Sequence, residues 1–86
     1  MDKKTIDTLS FIKSSKYRTK ILLFIGNKTK IPSEIAKHVN LSNTHTSKYL
    51  NSMKEKKLII CLNEEAKRGR LYQLTEKGFE ILEYLK

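Results

Sequence analysis

The sequence predicts a mainly α-helical domain with one small β-hairpin, an α+β arrangement. Three observations lead there. Apolar residues recur at three- and four-residue spacing in most of the chain, the signature of amphipathic helices. Near the C-terminus, two runs rich in β-branched and apolar residues, Leu58–Leu62 and Arg70–Thr75, flank a polar tip, Asn63–Gly69. The length, 86 residues, allows one small domain.

Each element follows in order. Over 5–13, Ile6, Leu9 and Ile12 fall about one turn apart with Phe11 beside them, predicting a short first helix. Ser14 and Ser15 are N-cap types for a helix over 15–26, where Tyr17, Ile21, Phe24 and Ile25 form an apolar stripe. Gly26-Asn27 ends it. Thr29-Lys30-Ile31 reads as a very short strand. Pro32 suits the first position of a helix over 32–39, with Ile35, Ala36 and Val39 inward. Asn40-Leu41-Ser42 is a tight turn, and Ser42 caps a helix over 43–56 whose inner face is Thr46, Leu50 and Met53, with Tyr49 flanking. After the hairpin, in which Tyr72 and Leu74 share one face, Thr75 caps a last helix over 76–85, with Phe79, Leu82 and Tyr84 or Leu85 apolar. Two helices across a tight turn, backed by a hairpin, make a winged helix. The chain reads as a single domain over 1–86: an N-terminal helix or extension over 1–14, the helix-turn-helix over 32–56, the wing hairpin over 58–75 and the C-terminal helix over 76–86.

Composition narrows the function. Lys and Arg number 18 against 9 Asp and Glu, for a net charge of +9. The excess is local: residues 13–57 carry all of it, while 1–12 and 58–86 each balance to zero. A basic patch of this kind is the electrostatic footprint of a nucleic-acid binder. Lys16, Arg18 and Lys20 also crowd the start of a helix, where the macrodipole disfavours cations, which points to an anionic partner. The longest apolar run is five residues, against roughly 20 for a membrane span. No secretory leader is expected from Met1-Asp2-Lys3-Lys4, and the single Cys61 fits a reducing, cytoplasmic setting.

Three segments carry a family resemblance. Pro32 to Ser42 is similar to the second helix and turn of MarR/ArsR-like winged-helix transcriptional regulators. Thr46-Ser47-Lys48-Tyr49-Leu50, Met53 and Lys57-Leu58-Ile59 resemble their recognition helix running into the first wing strand. Arg70-Leu71-Tyr72-Gln73-Leu74-Thr75-Glu76-Lys77-Gly78 resembles the Tyr-x-Leu-Thr-x-x-Gly exit from the wing. The likeness spans about 15–85 and extends to compact single-domain members of archaeal type. It implies a sequence-specific regulator that binds double-stranded DNA, with the third helix in the major groove and the wing on the minor groove or backbone. It also implies a homodimer, for which the N-terminal segment and C-terminal helix are the expected surfaces. Carried over by position, Asn43, Thr44, His45, Ser47, Lys48, Asn51 and Lys54 face the groove, and Lys67, Arg68 and Arg70 belong to the wing. Lys16, Arg18 and Lys20 are expected on backbone phosphate. The chain departs from the family at Lys57, where glycine is usual, and in Glu64 and Glu65, which repel phosphate if they face it.

These residue types suit the task. Asn pairs bidentately with adenine, Lys donates to guanine, and Ser and Thr serve bases or phosphates. Arg68-Gly69-Arg70 suits a narrow minor groove or phosphate. His38, His45 and Cys61 lack the paired spacing of a zinc site, so no metal and no cofactor is expected. No catalytic set or phosphate loop stands out, which argues against an enzyme. The rival reading is a winged-helix protein-interaction module within a larger nucleic-acid machine; the acids of the wing favour it and the basic centre opposes it.

Overall fold

A computed structural model describes residues 2–86. Its elements run α1 (Lys3–Lys13), α2 (Lys16–Ile25), α3 (Pro32–Val39), α4 (Asn43–Glu55), β1 (Ile59–Cys61), β2 (Tyr72–Leu74) and α5 (Glu76–Leu85). This is the α+β winged helix-turn-helix that the sequence predicts.

Side-chain caps set most helix starts. The hydroxyls of Ser15, Ser42 and Thr75 accept from the backbone N–H three residues on, at Arg18, His45 and Gly78. α1 begins two residues earlier than expected because the Asp2 carboxylate accepts from Thr5 N–H at 2.7 Å. α3 has no capping hydroxyl; instead Glu34 reaches back to the Ile31 N–H at 3.1 Å. It ends at Asn40, whose φ of 59° lies in the left-handed region that asparagine is one of the few non-glycine residues to tolerate.

One core joins every element. Ile12, Ile21, Leu22, Ile25, Ile35, Leu50, Met53, Leu58, Ile59 and Ile81 are fully or almost fully buried. α2 packs on α1, α3, α4, α5 and β2 and so forms the centre. Thr46, Leu50 and Met53 are the buried face of α4, as predicted. The last helix differs: Ile81 and Leu82 turn inward, whereas Phe79 and Tyr84 are exposed at 41% and 44%. Ile6 is likewise exposed, and Thr8 takes the buried place, its hydroxyl donating to the Lys4 carbonyl at 2.9 Å.

The hairpin pairs antiparallel, with Ile59 opposite Leu74 and Cys61 opposite Tyr72. Its regular part is shorter than expected, although Thr75 N–H to Leu58 O and Leu62 N–H to Leu71 O extend the pairing by a residue at each end. The short strand expected over 29–31 reduces to Lys30 alone, which exchanges two backbone hydrogen bonds with Tyr72 at 3.0 and 2.9 Å. Gln73 Nε2 adds a bond to the Thr29 hydroxyl at 2.8 Å.

The wing is joined to α4 through a left-handed turn. Lys57 adopts a φ of 61°, the conformation for which glycine is the usual choice. Thr75 secures that turn: its hydroxyl donates to the Lys57 carbonyl at 2.6 Å and accepts from Gly78 N–H at 3.0 Å.

Candidate nucleic-acid interface

With Thr46, Leu50 and Met53 buried, helical spacing fixes the rest of α4. Thr44, Lys48 and Asn51 lie on the opposite, exposed side, and Asn43 and Ser47 lie on the flank toward the wing. His45 is exposed at the N-terminal end, with its Nδ1 3.1 Å from the Ser42 hydroxyl. On the other flank, Tyr49 meets Tyr17 of α2 with ring centroids 5.7 Å apart.

The tip of the wing is a closed loop. Asn63 bridges it, its Oδ1 accepting from Leu71 N–H at 2.7 Å and its Nδ2 donating to the Gly69 carbonyl at 3.2 Å. Arg70 folds back on the same loop, donating from Nε to the Ala66 carbonyl at 2.8 Å and from Nη2 to the Glu64 carbonyl at 3.1 Å. Gly69 completes the turn at a φ of 65°. Lys67 and Arg68 remain exposed at the tip.

A groove of ≈ 540 Å³ runs between α4 and the wing. Asn43, Ser47 and Asn51 line one side, Lys67 to Arg70 the other, and Ile31 to Ser33, at the start of α3, close the end with Tyr72. The lining holds three basic side chains and no acidic one. The positive end of the α3 dipole at this point is already met by the Glu34 carboxylate on the Ile31 N–H. Among the expected residues, six thus share one concave surface: Asn43, Ser47, Asn51, Lys67, Arg68 and Arg70. Thr44, His45 and Lys48 flank it on the exposed side of α4.

Three expected contacts are placed differently. Arg18 is bound internally: its Nη1 donates to the Phe11 carbonyl and the Ser14 hydroxyl, both at 3.0 Å, and its guanidinium lies 4.0 Å from the Phe11 ring centroid. Arg70 lines the groove but spends its guanidinium on the wing's own carbonyls. Lys54 forms an ion pair with Glu64 beyond the groove, in a separate concavity behind the hairpin. Their mutual hydrogen bond lowers the Glu64 carboxyl pKa and raises that of the Lys54 ammonium. Lys16 is exposed on α2, its ammonium 5.3 Å from the Tyr17 ring centroid.

Sequence reasoning missed Asn63, Ser33 and Tyr72. A turn asparagine two residues past a strand is the available signal for Asn63; the other two come to the groove only through tertiary packing. His38 stacks on Phe24 at 4.0 Å, and Cys61 is half-buried against the core. No group of three or more potential metal ligands lies among the described residues. None of the described helices is long and apolar enough to cross a membrane.

Comparison with known proteins fits this geometry. Residues 9–86 match a family described as winged helix-turn-helix. No curated protein is similar enough in sequence to match. Among solved structures, the ZitR C30AH42A mutant from Lactococcus lactis is 22% identical with a TM-score of 0.72 over 83% of this chain. This chain spans about half of ZitR, 49%. MepR of S. aureus, solved as a DNA complex, is 19% identical with a TM-score of 0.75, over 96% of this chain and 71% of that one. The winged helix-turn-helix domain of Mb0332 from Mycobacterium bovis, a homodimer described as a possible ArsR-family transcriptional regulator, is 15% identical with a TM-score of 0.73, over 94% and 74%. At these identities the likeness is one of fold.

Proposed function

We propose that this chain, which belongs to the winged helix-turn-helix family, is a transcription regulator that binds double-stranded DNA. The observation that carries the proposal is the acid-free groove in which Asn43, Ser47 and Asn51 stand opposite Lys67 and Arg68. α4 is about 20 Å long at 1.5 Å per residue and fits a major groove roughly 12 Å wide. Its exposed Asn43, Thr44, His45, Ser47, Lys48 and Asn51 then supply sequence readout. Lys67 and Arg68 reach the neighbouring minor groove or backbone, while Arg70 holds the loop that presents them. The DNA-bound state of MepR supports the same use of this fold.

The regulator acts as a homodimer through α1 and α5, as two symmetric modules read a pseudopalindrome. Exposed Ile6 on α1 and Phe79 and Tyr84 on α5 supply apolar surface for it, and the homodimeric Mb0332 domain supports the dimeric state.

Fluorescence anisotropy with a labelled mixed-sequence duplex at about 50 and about 200 mM salt tests DNA binding. Six or more phosphate contacts predict a loss of about 10³-fold or more in affinity across that range. Failure of the folded protein to bind at the lower salt overturns the proposal. Sedimentation with and without the duplex tests the dimer, and a monomer in both overturns that part alone.

A further inference from the structure

The Lys54–Glu64 pair has a consequence for DNA binding, which rests on the reading above. Lys54 lies on the same flank of α4 as Asn43 and Ser47, since positions 43, 47 and 54 fall within about 40° of one another at 100° per residue. A free cation there, about 10 Å along the axis from Ser47, would extend to phosphate beyond the end of the groove. The structure instead turns its ammonium onto the Glu64 carboxylate.

Glu64 is well placed to hold it. Its own carbonyl is fixed by the Arg70 guanidinium, and the Asn63 side chain closes the loop on either side of it. The carboxylate is therefore presented by an ordered backbone. The pair also links the C-terminal end of α4 to the wing tip. Lys57, Lys77 and Glu76 line the same concavity, and it is the Lys54 hydrogen bond and charge, with Arg70, that keep the Glu64 carboxyl ionised.

We infer that Glu64 occupies the place of a phosphate: it withholds Lys54 from DNA and fastens the wing to the recognition helix. The unchanged protein then binds without Lys54. Neutralising Glu64 releases a cation that adds one phosphate contact of no sequence value, so affinity rises on every duplex alike. Glu64 is on this argument a positioning residue that limits non-specific binding.

The salt dependence of binding to a mixed-sequence duplex tests this with four proteins: unchanged, Glu64→Gln, Lys54→Ala and the double variant. One added phosphate contact steepens the slope of log K against log salt by about 0.9 per bound protomer, about 1.8 for a homodimer. The expected result is that steepening in Glu64→Gln, with Lys54→Ala and the double variant matching the unchanged protein. A slope flattened by that same amount in Lys54→Ala overturns the inference, because Lys54 is then already on phosphate. Equal steepening by Glu64→Gln in the Lys54→Ala background also overturns it, because Glu64 then acts through its own charge. An unchanged slope in Glu64→Gln overturns the withholding alone, whereas failure of the unchanged protein to bind overturns the DNA reading and this inference together.

Discussion

Gly78 lies so close to the carbonyl oxygen of Leu58 that a Cβ at position 78 would sit 2.2 Å from it. The same carbonyl accepts from Thr75 N–H, and Thr75 accepts from Gly78 N–H. α5 therefore rests directly on the backbone that starts β1, and the Thr-x-x-Gly spacing records that contact. Gly78→Ala must push backbone against backbone. It is expected to cost about 1–3 kcal/mol, the usual range for overpacking. Thermal unfolding checks this, with a fall of roughly 4–8 °C per kcal/mol in a domain of this size.

Lys57 occupies a left-handed conformation with an exposed side chain. Lys57→Gly removes the Cβ conflict, partly offset by the greater freedom of glycine in the unfolded chain. A net gain of about 0.5–1 kcal/mol is expected in denaturant unfolding. A loss of stability would show that the side chain contributes more than the turn costs.

Thr46 is fully buried on the inner face of α4, and its hydroxyl finds no hydrogen-bond partner among the described residues. Thr46→Val keeps the shape and removes a desolvated hydroxyl. It is expected to raise stability by about 1 kcal/mol, with DNA affinity unchanged because the residue faces away from the groove.

Arg18 and Arg68 carry the same charge and are expected to behave oppositely. Arg18→Ala loses two hydrogen bonds and the stack on Phe11, and should cost about 1–2 kcal/mol of stability while leaving the salt slope of DNA binding alone. Lys67→Ala with Arg68→Ala should leave stability within about 0.5 kcal/mol and flatten the slope by up to about 1.8 per bound protomer. Parallel melts and binding isotherms separate the two.

The Thr5 N–H and hydroxyl hold the Asp2 carboxyl below the usual carboxylate range. A lowered folded pKa means that the cap stabilises α1 at neutral pH and is lost as the pH falls through that depressed value. An NMR titration of the Thr5 amide should show its transition below the ordinary aspartate midpoint, and Asp2→Asn should abolish the transition.

Much of the fold was legible because its signals are local. Ser15, Ser42 and Thr75 each place a side-chain oxygen just before a periodic run, and all three cap. The inner face of α4 followed from spacing alone. α5 misled because its apolar residues occur around most of the helix, so choosing Ile81 over Phe79 and Tyr84 requires knowing what packs against it. In the site, residue type located the cations but not their partners. Arg18, Arg70 and Lys54 each find an internal acceptor that is brought near by a turn or by the hairpin, and charge counting cannot anticipate that.

The two backbone bonds between Lys30 and Tyr72 divide the wing into parts with different freedom. β2 is gripped on both edges, by β1 and by the segment entering α3, so the root of the hairpin cannot swing as a flap on a hinge. Only the loop beyond Leu62 and Leu71 can open without breaking the core. Amide exchange should accordingly fall into two classes, slow at Tyr72 and Gln73 and fast at Lys67 and Arg68. Such a wing is free to adjust at its fingertips while its wrist stays set.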